Sequence, residues 1–540
     1  MSMRDFITRV LNTPVVAEAA PPIVVETTPH IGLKITPPIV METSPPIVVE
    51  TGFDPPPSCE GGSENGVPFY WDIESRSAAV LGSGKHGVGA RAYAEHPTTE
   101  VLCVSYARGN GPIETWVPGQ PIPEEISAAA ADASCPWVAH GAAFERAMLE
   151  CILVPQHAWP MVPVDRHVCT MSLALAHAYP GSLEGVARIL GLANQKDVAR
   201  EKIVRVMWKP RKPRRDEDPT KTYWVDSPKL RAELYPYNRQ DVAVERELHQ
   251  HPKLTRLPAW EQDTWVLDAE INDHGVCIDA PLAAAAFRLA TQAHSDLNER
   301  MRHETDGAVD AATKNEKLKA WLASQGVKLP HKLRKGELRT SLDADDIEKL
   351  LAEDLPHQGV RAALEIRLQA AQSAASKIER MLRTRCADGR VRGLFRFHGA
   401  TTGRWSGAGF QPQNLKRPEL LQTDEAIAEA IEIVKAENYT TLKERYGDVL
   451  GVIGDLGRSM IIPAPAHRFI IGDFSMIEPR VLAGQAGDAD KLEAFRQFDC
   501  GLGRDIYCVT AEQVLGLSGL HSKSPERQLG KIFELVIGPH

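Results

Sequence analysis

The most informative stretch of this 540-residue chain is Phe469-Ile-Ile-Gly-Asp-Phe-Ser-Met-Ile-Glu-Pro-Arg480. An apolar run of strand length ends in Asp473, and a pattern typical of a helix follows from Glu478. A carboxylate that ends a buried strand can hold a divalent cation, because hard cations prefer oxygen ligands on a rigid element. Pro479 falls in the first helical turn, where its missing N–H does little harm. An isolated Asp in this position would more often begin a solvated turn, so the other motifs decide between the two interpretations.

The whole stretch resembles motif A of the family A DNA polymerases, usually written Asp-Tyr-Ser-Gln-Ile-Glu-Leu-Arg. Phe474, Met476 and Pro479 replace the usual Tyr, Gln and Leu. The resemblance implies that Asp473 is a catalytic metal ligand and that Glu478 contacts the incoming nucleotide.

The composition is that of an ordinary soluble globular protein, with 43% hydrophobic and 25% charged residues. No apolar run reaches membrane-spanning length, and the start of the chain lacks the apolar core of a secretory signal. Nine scattered cysteines without a Cys-x-x-Cys pair argue against a disulfide framework or a zinc cluster. These features predict no membrane partner and a cytoplasmic location. The N-terminal tail and the domain proportions most resemble phage or prophage members of family A, which implies a bacterial or phage-infected cell.

Residues 1–66 form a proline-rich tail. Pro-Pro-Ile-Val-Val-Glu-Thr occurs at 21–27 and 45–51, and a Met variant of the same heptad occurs at 37–43. Paired prolines exclude a helix or a central strand, and the repeats are too short to stack. We expect an extended, mostly disordered segment whose partner the sequence does not identify.

Carboxylates recur in the region from 67 to 255. A strand pattern over 68–74 places Asp72 and Glu74 on one face, since strand side chains repeat every two residues. Two carboxylates this close repel each other unless a cation or a proton lies between them. A second strand is predicted over 101–106, and a strand leading into a helix over 137–149. A helix opening at Tyr237 places that hydroxyl and the Asp241 carboxylate on one face.

Together these segments resemble the three motifs of a DEDDy-type 3′–5′ proofreading exonuclease, which implies a ribonuclease H-like domain. In that family four carboxylates hold two divalent ions, Mg²⁺ or possibly Mn²⁺, and a tyrosine positions the nucleophile. The resemblance assigns the carboxylate roles to Asp72, Glu74, Glu145 and Asp241, and the tyrosine role to Tyr237. Gly141 and Glu145 depart from the usual Asn and Asp of the second motif.

Residues 256–395 are predicted to begin the polymerase domain with a helical thumb. A helix pattern over 264–274 ends at Gly275 and is followed by a short strand. Long helical patterns rich in Ala, Leu, Lys and Arg cover 281–305 and 358–385. Antiparallel helices of this kind suit the part of a family A polymerase that grips duplex DNA.

Local basic clusters contrast with the formal net charge of −9. Eight basic and two acidic residues lie between Ser376 and Arg404, and a second cluster spans 209–215, which is as easily a solvated face. The segment Thr402-Gly-Arg-Trp-Ser406, followed by Gln413-Asn-Leu, resembles the family's Thr-Gly-Arg-x-Ser and Gln-Asn-Leu. The resemblance makes Arg404, Gln413 and Asn414 contacts to primer–template DNA.

A helix is predicted over 524–535, with Ser524 as N-cap and Pro525 as its first residue. Arg527 and Lys531 share one face at spacing i, i+4, which alone could be a solvated stripe. The segment resembles the fingers helix of motif B, whose Arg and Lys grip the triphosphate of a deoxynucleoside triphosphate.

Residues 396–540 are therefore predicted to be a partial palm and fingers within a multidomain α/β chain. The family has a Tyr where this sequence has Pro539, and its His-Asp-Glu hairpin does not occur here. We expect a polymerase truncated at its C-terminus, with an incomplete polymerase site and an exposed sheet edge near Ile470 and Ile471. Alternatives are an exonuclease with a non-catalytic DNA-clamping remnant, or an inactive DNA-binding remnant.

Overall fold

The structure, a computed structural model, describes residues 66–82, 84, 86–334, 337–372 and 374–537. The predicted repeat tail lies outside these residues apart from Gly66. Contacts between Cα atoms divide the chain into two compact units, Met1–Ala466 and His467–His540. The finer boundaries predicted at 255 and 395 stay predictions.

A five-stranded mixed sheet forms the first layer of the first unit. Its strand order is β3-β2-β1-β4-β5, with β2 antiparallel and β4 parallel to the central β1. The strands are β1 (Phe69–Arg76), β2 (Glu100–Arg108), β3 (Glu114–Trp116), β4 (Trp137–Ala139) and β5 (His167–Cys169). The strands predicted over 68–74, 101–106 and at the start of 137–149 are confirmed.

The central strand is buried on both faces. Phe69 and Trp71 point into an aromatic core that includes Trp137. Tyr70 points to the opposite face and packs with Val242, which lies on a long helix that crosses the sheet. Because side chains alternate along a strand, Asp72 and Glu74 share the face of Tyr70 and point toward that helix.

Two helices pack against this sheet, α1 (Ala143–Met148) on the side of Phe69 and Trp71, and α2 (Pro228–His249) on the side of Tyr70. The helix predicted to open at Tyr237 begins upstream instead, because Ser227 caps it and Pro228 occupies its first turn. The predicted i, i+4 relation between Tyr237 and Asp241 is retained within it.

Helices dominate the rest of the first unit. α3 (Ala259–His274) ends at Gly275, whose φ of 62° suits glycine, and β6 (Val276–Ile278) follows as predicted. β6 lies between β7 (Arg390–Val391) and β8 (Ile461–Ile462) in an antiparallel sheet. The two long helical patterns form α4 (Ala280–Glu304), α5 (Gln358–Ala370) and α6 (Ala374–Thr384), which pack around one apolar core.

Shorter elements connect these parts. The helices are Ala90–Ala94, Glu124–Ala131, Val154–His157, Thr170–Ala176, Leu183–Leu190, Val198–Val204, Asn315–Ser324, Ala344–Leu351, Asp424–Lys435, Tyr439–Tyr446 and Val449–Asp455. The strands are Val80–Leu81, Gly87–Val88, His331–Arg334, Glu337–Thr340, Phe395–Arg396 and Ser406–Gly407. Among the described residues, no helix combines the length and apolarity needed to cross a membrane.

The second unit is helical where it is described. It contains α7 (Ile477–Ala486), α8 (Ala489–Asp499), α9 (Ile506–Leu515) and α10 (Arg527–Ile532), followed by a π-helical turn at Phe533–Ile537. The helix predicted from Ser524 begins at Arg527, because the preceding residues form a turn in which Ser524 Oγ accepts from the His521 N–H. Ser524 is therefore not its N-cap.

The strand predicted before Asp473 is wrong. Residues 469–473 form no strand, and Ile471 is 92% exposed. A strand needs a neighbouring strand to share its backbone hydrogen bonds, and the described part of this unit contains no such strand. The predicted sheet edge near Ile470 and Ile471 is therefore an exposed irregular segment.

Candidate functional site

Three carboxylates from two elements meet on one face of the sheet. Asp72 and Glu74 come from β1, and Asp241 comes from α2, which packs across it. One oxygen from each lies within 4.8 Å of the other two. Of the residues that the structure describes, these three form the one group of His, Cys, Asp or Glu side chains close enough to share a metal ion.

Glu145 lies near this group but outside its closest contacts. It projects from α1 and is 3% exposed, and its Oε2 has no hydrogen-bond partner within the described part of the chain. Burial, together with the charge of Asp72, raises the pKa of Glu145 well above its usual value. A buried carboxyl with a free oxygen is costly to keep unless a ligand uses it.

The charges of the three carboxylates are poorly compensated. Burial and repulsion from Asp241 raise the pKa of Asp72 to about 7. Burial and the charge of Asp72 raise the pKa of Glu74 well above its usual value. The pKa of Asp241 is also raised by burial, against the opposing effect of Lys196. A site that raises the pKa of several carboxyls at once is typical of a functional centre.

Tyr237 completes the predicted set. It is 2% exposed, and burial followed by the charge of Asp241 raises the pKa of its hydroxyl, so the phenol stays protonated at neutral pH. The structure thus places all five residues predicted for this site on neighbouring elements, with Glu145 slightly apart from the closest group.

Sequence reasoning missed three neighbours of the cluster. Asn238 Nδ2 donates to Asp72 Oδ2 at 2.5 Å, and Lys196 Nζ lies 2.6 Å from Asp241 Oδ2. Glu245 is 1% exposed and follows Asp241 by one turn of α2. Helical spacing from Asp241 could have identified Glu245, and Asn238 lies within the tyrosine motif. Lys196 lies in a loop, so no spacing signals it.

Gly141 has a conformational explanation. Its φ of 94° lies in the region that favours glycine, and it forms the turn before α1. The turn that delivers Glu145 therefore accounts for a glycine at this position.

The predicted DNA contacts of the first unit lie on a small hairpin and the turn beside it. Arg404 is exposed at the tip between strands Phe395–Arg396 and Ser406–Gly407. Gln413 packs closely against Gly407. A Cβ atom added at Gly407 would lie only 1.8 Å from the Nε2 atom of Gln413. Asn414 is exposed, and its carbonyl accepts from Lys377. The structure thus brings the two predicted motifs together.

The predicted nucleotide contacts lie in the second unit. Arg527 Nε donates to Asp505 Oδ2 at 2.8 Å, and its guanidinium lies 4.9 Å from the centre of the Tyr507 ring. Burial raises the pKa of Tyr507, and the charge of Glu478 adds less to that rise than Asp505 or Glu534 does. Lys531 is half-buried on the same short helix as Arg527. Asp473 lies in the exposed segment before α7.

Much of this chain is similar in sequence to known proteins. The family model for DNA polymerase family A matches residues 288–537. A DNA polymerase of Bacillus phage SP02 is 31% identical over 473 residues, which cover 86% of this chain and 68% of the relative. DNA polymerase I of Chloroflexus aurantiacus is 32% identical over 83 residues, which cover 15% of this chain and 8% of the relative.

A similar solved structure is the POL domain of Pol1 from M. smegmatis in complex with DNA primer-template and dNTP. Its TM-score is 0.48 at 17% sequence identity, and the match covers 88% of this chain and 68% of that one.

Proposed function

The chain belongs to DNA polymerase family A, and we propose that its first unit carries a metal-dependent 3′–5′ exonuclease that shortens DNA ends. The observation that carries this proposal is the group formed by Asp72, Glu74 and Asp241. The mixed sheet, whose central strand supplies two of these carboxylates, supports a ribonuclease H-like core.

The carboxylates fit a divalent ion. Two oxygens on one octahedral Mg²⁺ lie about 3–4 Å apart, given metal–oxygen distances near 2 Å. The observed group, within 4.8 Å, needs only a small contraction. Glu145 Oε2 and Asp241 Oδ1 are buried without hydrogen-bond partners in the described residues, so each has capacity for a ligand. Mg²⁺ or Mn²⁺ held there would activate water and neutralise charge on a phosphate.

The protein's own residues would orient the reacting groups. Asn238 holds Asp72 in one rotamer through its amide hydrogen bond. Tyr237 keeps its proton at neutral pH and can donate it in a hydrogen bond to a water or a phosphate oxygen. Because Tyr237 and Asp241 are one turn apart on α2, helix packing fixes both positions together.

A second activity follows from the family. We propose that the chain binds primer–template DNA through Arg404, Gln413 and Asn414, and deoxynucleoside triphosphates through Arg527, Lys531 and Glu478. Family membership supports nucleotidyl transfer as the purpose of these contacts. Asp473 would be the metal ligand of that site.

An end-labelled primer–template separates these proposals. In Mg²⁺ without nucleotides we expect the full chain to shorten the primer. Asp72→Asn should slow shortening at least about 100-fold, because metal ions contribute several kcal/mol to such a transition state. Asp165→Asn, at an exposed position of the same unit, is the matched control.

Unchanged shortening by Asp72→Asn would overturn the exonuclease proposal. Extension on adding nucleotides, lost in Asp473→Asn, would support the transferase proposal. DNA binding without either reaction would indicate an inactive DNA-binding remnant.

A further inference from the structure

Lys196 places an ammonium group against the carboxylate cluster. Its Nζ lies 2.6 Å from Asp241 Oδ2 and 5.0 Å from the centre of the Tyr237 ring. Its side chain is 21% exposed and that of Asp241 is 6% exposed. The contact is thus a largely buried ion pair, which water screens much less than a surface pair.

The loop that carries Lys196 is fixed to the same helix as the cluster. The backbone N–H groups of Ala193 and Asn194 donate to the Glu247 carboxylate at 2.6 and 2.8 Å. Gln240 Nε2 donates to the Gln195 carbonyl at 2.9 Å. Glu247 and Gln240 both belong to α2, as does Asp241. Since α2 holds both the loop and Asp241, the ammonium is held in place by the fold rather than by a freely moving side chain.

A divalent ion would meet this ammonium. The oxygen that Lys196 contacts belongs to Asp241, whose other oxygen, Oδ1, is buried without a partner in the described chain. An ion that used Asp241 together with Asp72 and Glu74 would either displace the ammonium or lie a few Å from it. Either outcome lowers the affinity for the ion, because like charges at that distance repel.

We propose that Lys196 is the resident counter-ion of the cluster and competes with the divalent ion for it. In the absence of metal it reduces repulsion among the carboxylates and keeps the cluster folded. In the presence of metal it weakens binding and sets the ion concentration at which the site fills. The proposal rests on the metal site of the proposed exonuclease.

Lys196→Met tests the competition, since methionine keeps much of the length and apolar bulk but has no charge. Mn²⁺ binding to the full chain can be followed by electron paramagnetic resonance. We expect Lys196→Met to bind Mn²⁺ about tenfold more tightly, the order expected for removing one nearby charge. Lys202→Met, an exposed lysine on the next helix, should bind like the wild type. Equal or weaker binding by Lys196→Met would overturn the proposal.

Thermal unfolding supplies a second readout. In EDTA we expect Lys196→Met to melt below the wild type, and in saturating Mn²⁺ to recover most of the difference. Should Lys196→Met not fold in EDTA, Lys196→Gln provides the comparison, because its amide can donate to Asp241 without carrying charge. Melting of these variants in EDTA at the wild-type temperature would contradict the counter-ion role.

The same titrations separate this proposal from the exonuclease. If the wild type and Asp72→Asn bind Mn²⁺ equally, the metal site itself is wrong. If Asp72→Asn loses binding while Lys196→Met gains none, only the role of Lys196 is wrong.

Discussion

Glu145 combines a functional position with an unfavourable environment. It is 3% exposed, its Oε2 is unpartnered among the described residues, and burial raises its pKa. The folded chain therefore holds a proton on Glu145 at pH values where the unfolded chain has lost it. By linkage, this residue lowers stability as pH rises above the ordinary glutamate value. The folded protein is thus less stable at neutral pH because it keeps the Glu145 carboxyl buried beside the cluster.

Glu145→Gln should separate stability from activity. In EDTA near pH 7 we expect the variant to be more stable than the wild type by about 1 kcal/mol, because glutamine has no proton to lose. Near pH 4 the difference should vanish, since the glutamate is then protonated in both states. Shortening of a labelled primer should fall. Urea unfolding at the two pH values measures the first effect, and lower stability of the variant at pH 7 would contradict it.

Residue periodicity predicted part of the candidate site. The alternation of β1 placed Asp72 and Glu74 on one face, and helical spacing placed Tyr237 beside Asp241; the structure has both arrangements. Glu145 and the joining of the three segments came from the resemblance. Lys196 could not be predicted, because its contact with Asp241 depends on how a loop folds back on α2.

Among the secondary-structure elements, the absence of the strand predicted before Asp473 and the shifted starts of the helices have different causes. An apolar run such as 469–472 fits a strand, but only hydrogen bonding to a neighbour makes one, and a single segment carries no information about its neighbour. Helices depend more on local sequence. The pattern predicted over 281–305 therefore agrees with α4 to within one residue at each end, and α3 ends where predicted although it begins five residues earlier. Their starts depend on capping and on the preceding turn. Ser227 caps α2, which begins at Pro228, whereas the turn that holds Ser524 delays the start of α10 to Arg527.

The helices α9 and α10 of the second unit pack so closely at Gly530 that a larger side chain there would clash. A Cβ atom at Gly530 would lie 1.8 Å from the Tyr507 carbonyl oxygen and 2.9 Å from the Ala511 nitrogen. Because both are backbone atoms, the helices must separate to accept a side chain. Gly530→Ala should therefore destabilise this helix pair by about 1–3 kcal/mol. Hydrogen exchange of α9 and α10 amides in the full chain measures the effect.

Gly484 is the matched control for that substitution. It lies on α7, and nothing lies within 4 Å of the position of its Cβ atom. Gly484→Ala should stabilise α7 by about 0.5–1 kcal/mol through helix propensity. Equal effects of the two substitutions would show that the contact with Tyr507 is not close in solution.

Across the whole chain, the net charge argues against binding to nucleic acid, whereas one local cluster of basic residues favours it. The chain carries a formal charge of −9, yet its basic run from Ser376 to Arg404 remains a candidate DNA surface. Folding uses part of that run internally. Arg392 pairs with Asp388 at 2.5 Å, and Arg383 pairs with Glu379 at 3.0 Å. The sequence alone could not show which arginine side chains form such ion pairs within the protein and are therefore less available to contact DNA.

Besides Arg404, the basic run contains two arginines, Arg385 and Arg396, that can meet phosphate. Both are exposed, and neither side chain has an ion pair within the described residues. Each phosphate contact adds about 0.9 to the slope of log affinity against log salt concentration. Arg385→Gln combined with Arg396→Gln should therefore reduce the slope for duplex DNA by about 2.

Fluorescence anisotropy of a labelled duplex in EDTA, between about 50 and 200 mM salt, gives this slope without degradation. The control combines Lys253→Gln with Lys328→Gln, two exposed lysines outside the run that give the same change in net charge. If the control lowers the slope equally, binding depends on overall charge and the basic run is not the DNA surface. If only the arginine pair lowers it, the exposed part of the run contacts the phosphates. Arg392→Gln should act differently, lowering thermal stability because it removes both the ion pair with Asp388 and the hydrogen bond to the Asp273 carbonyl.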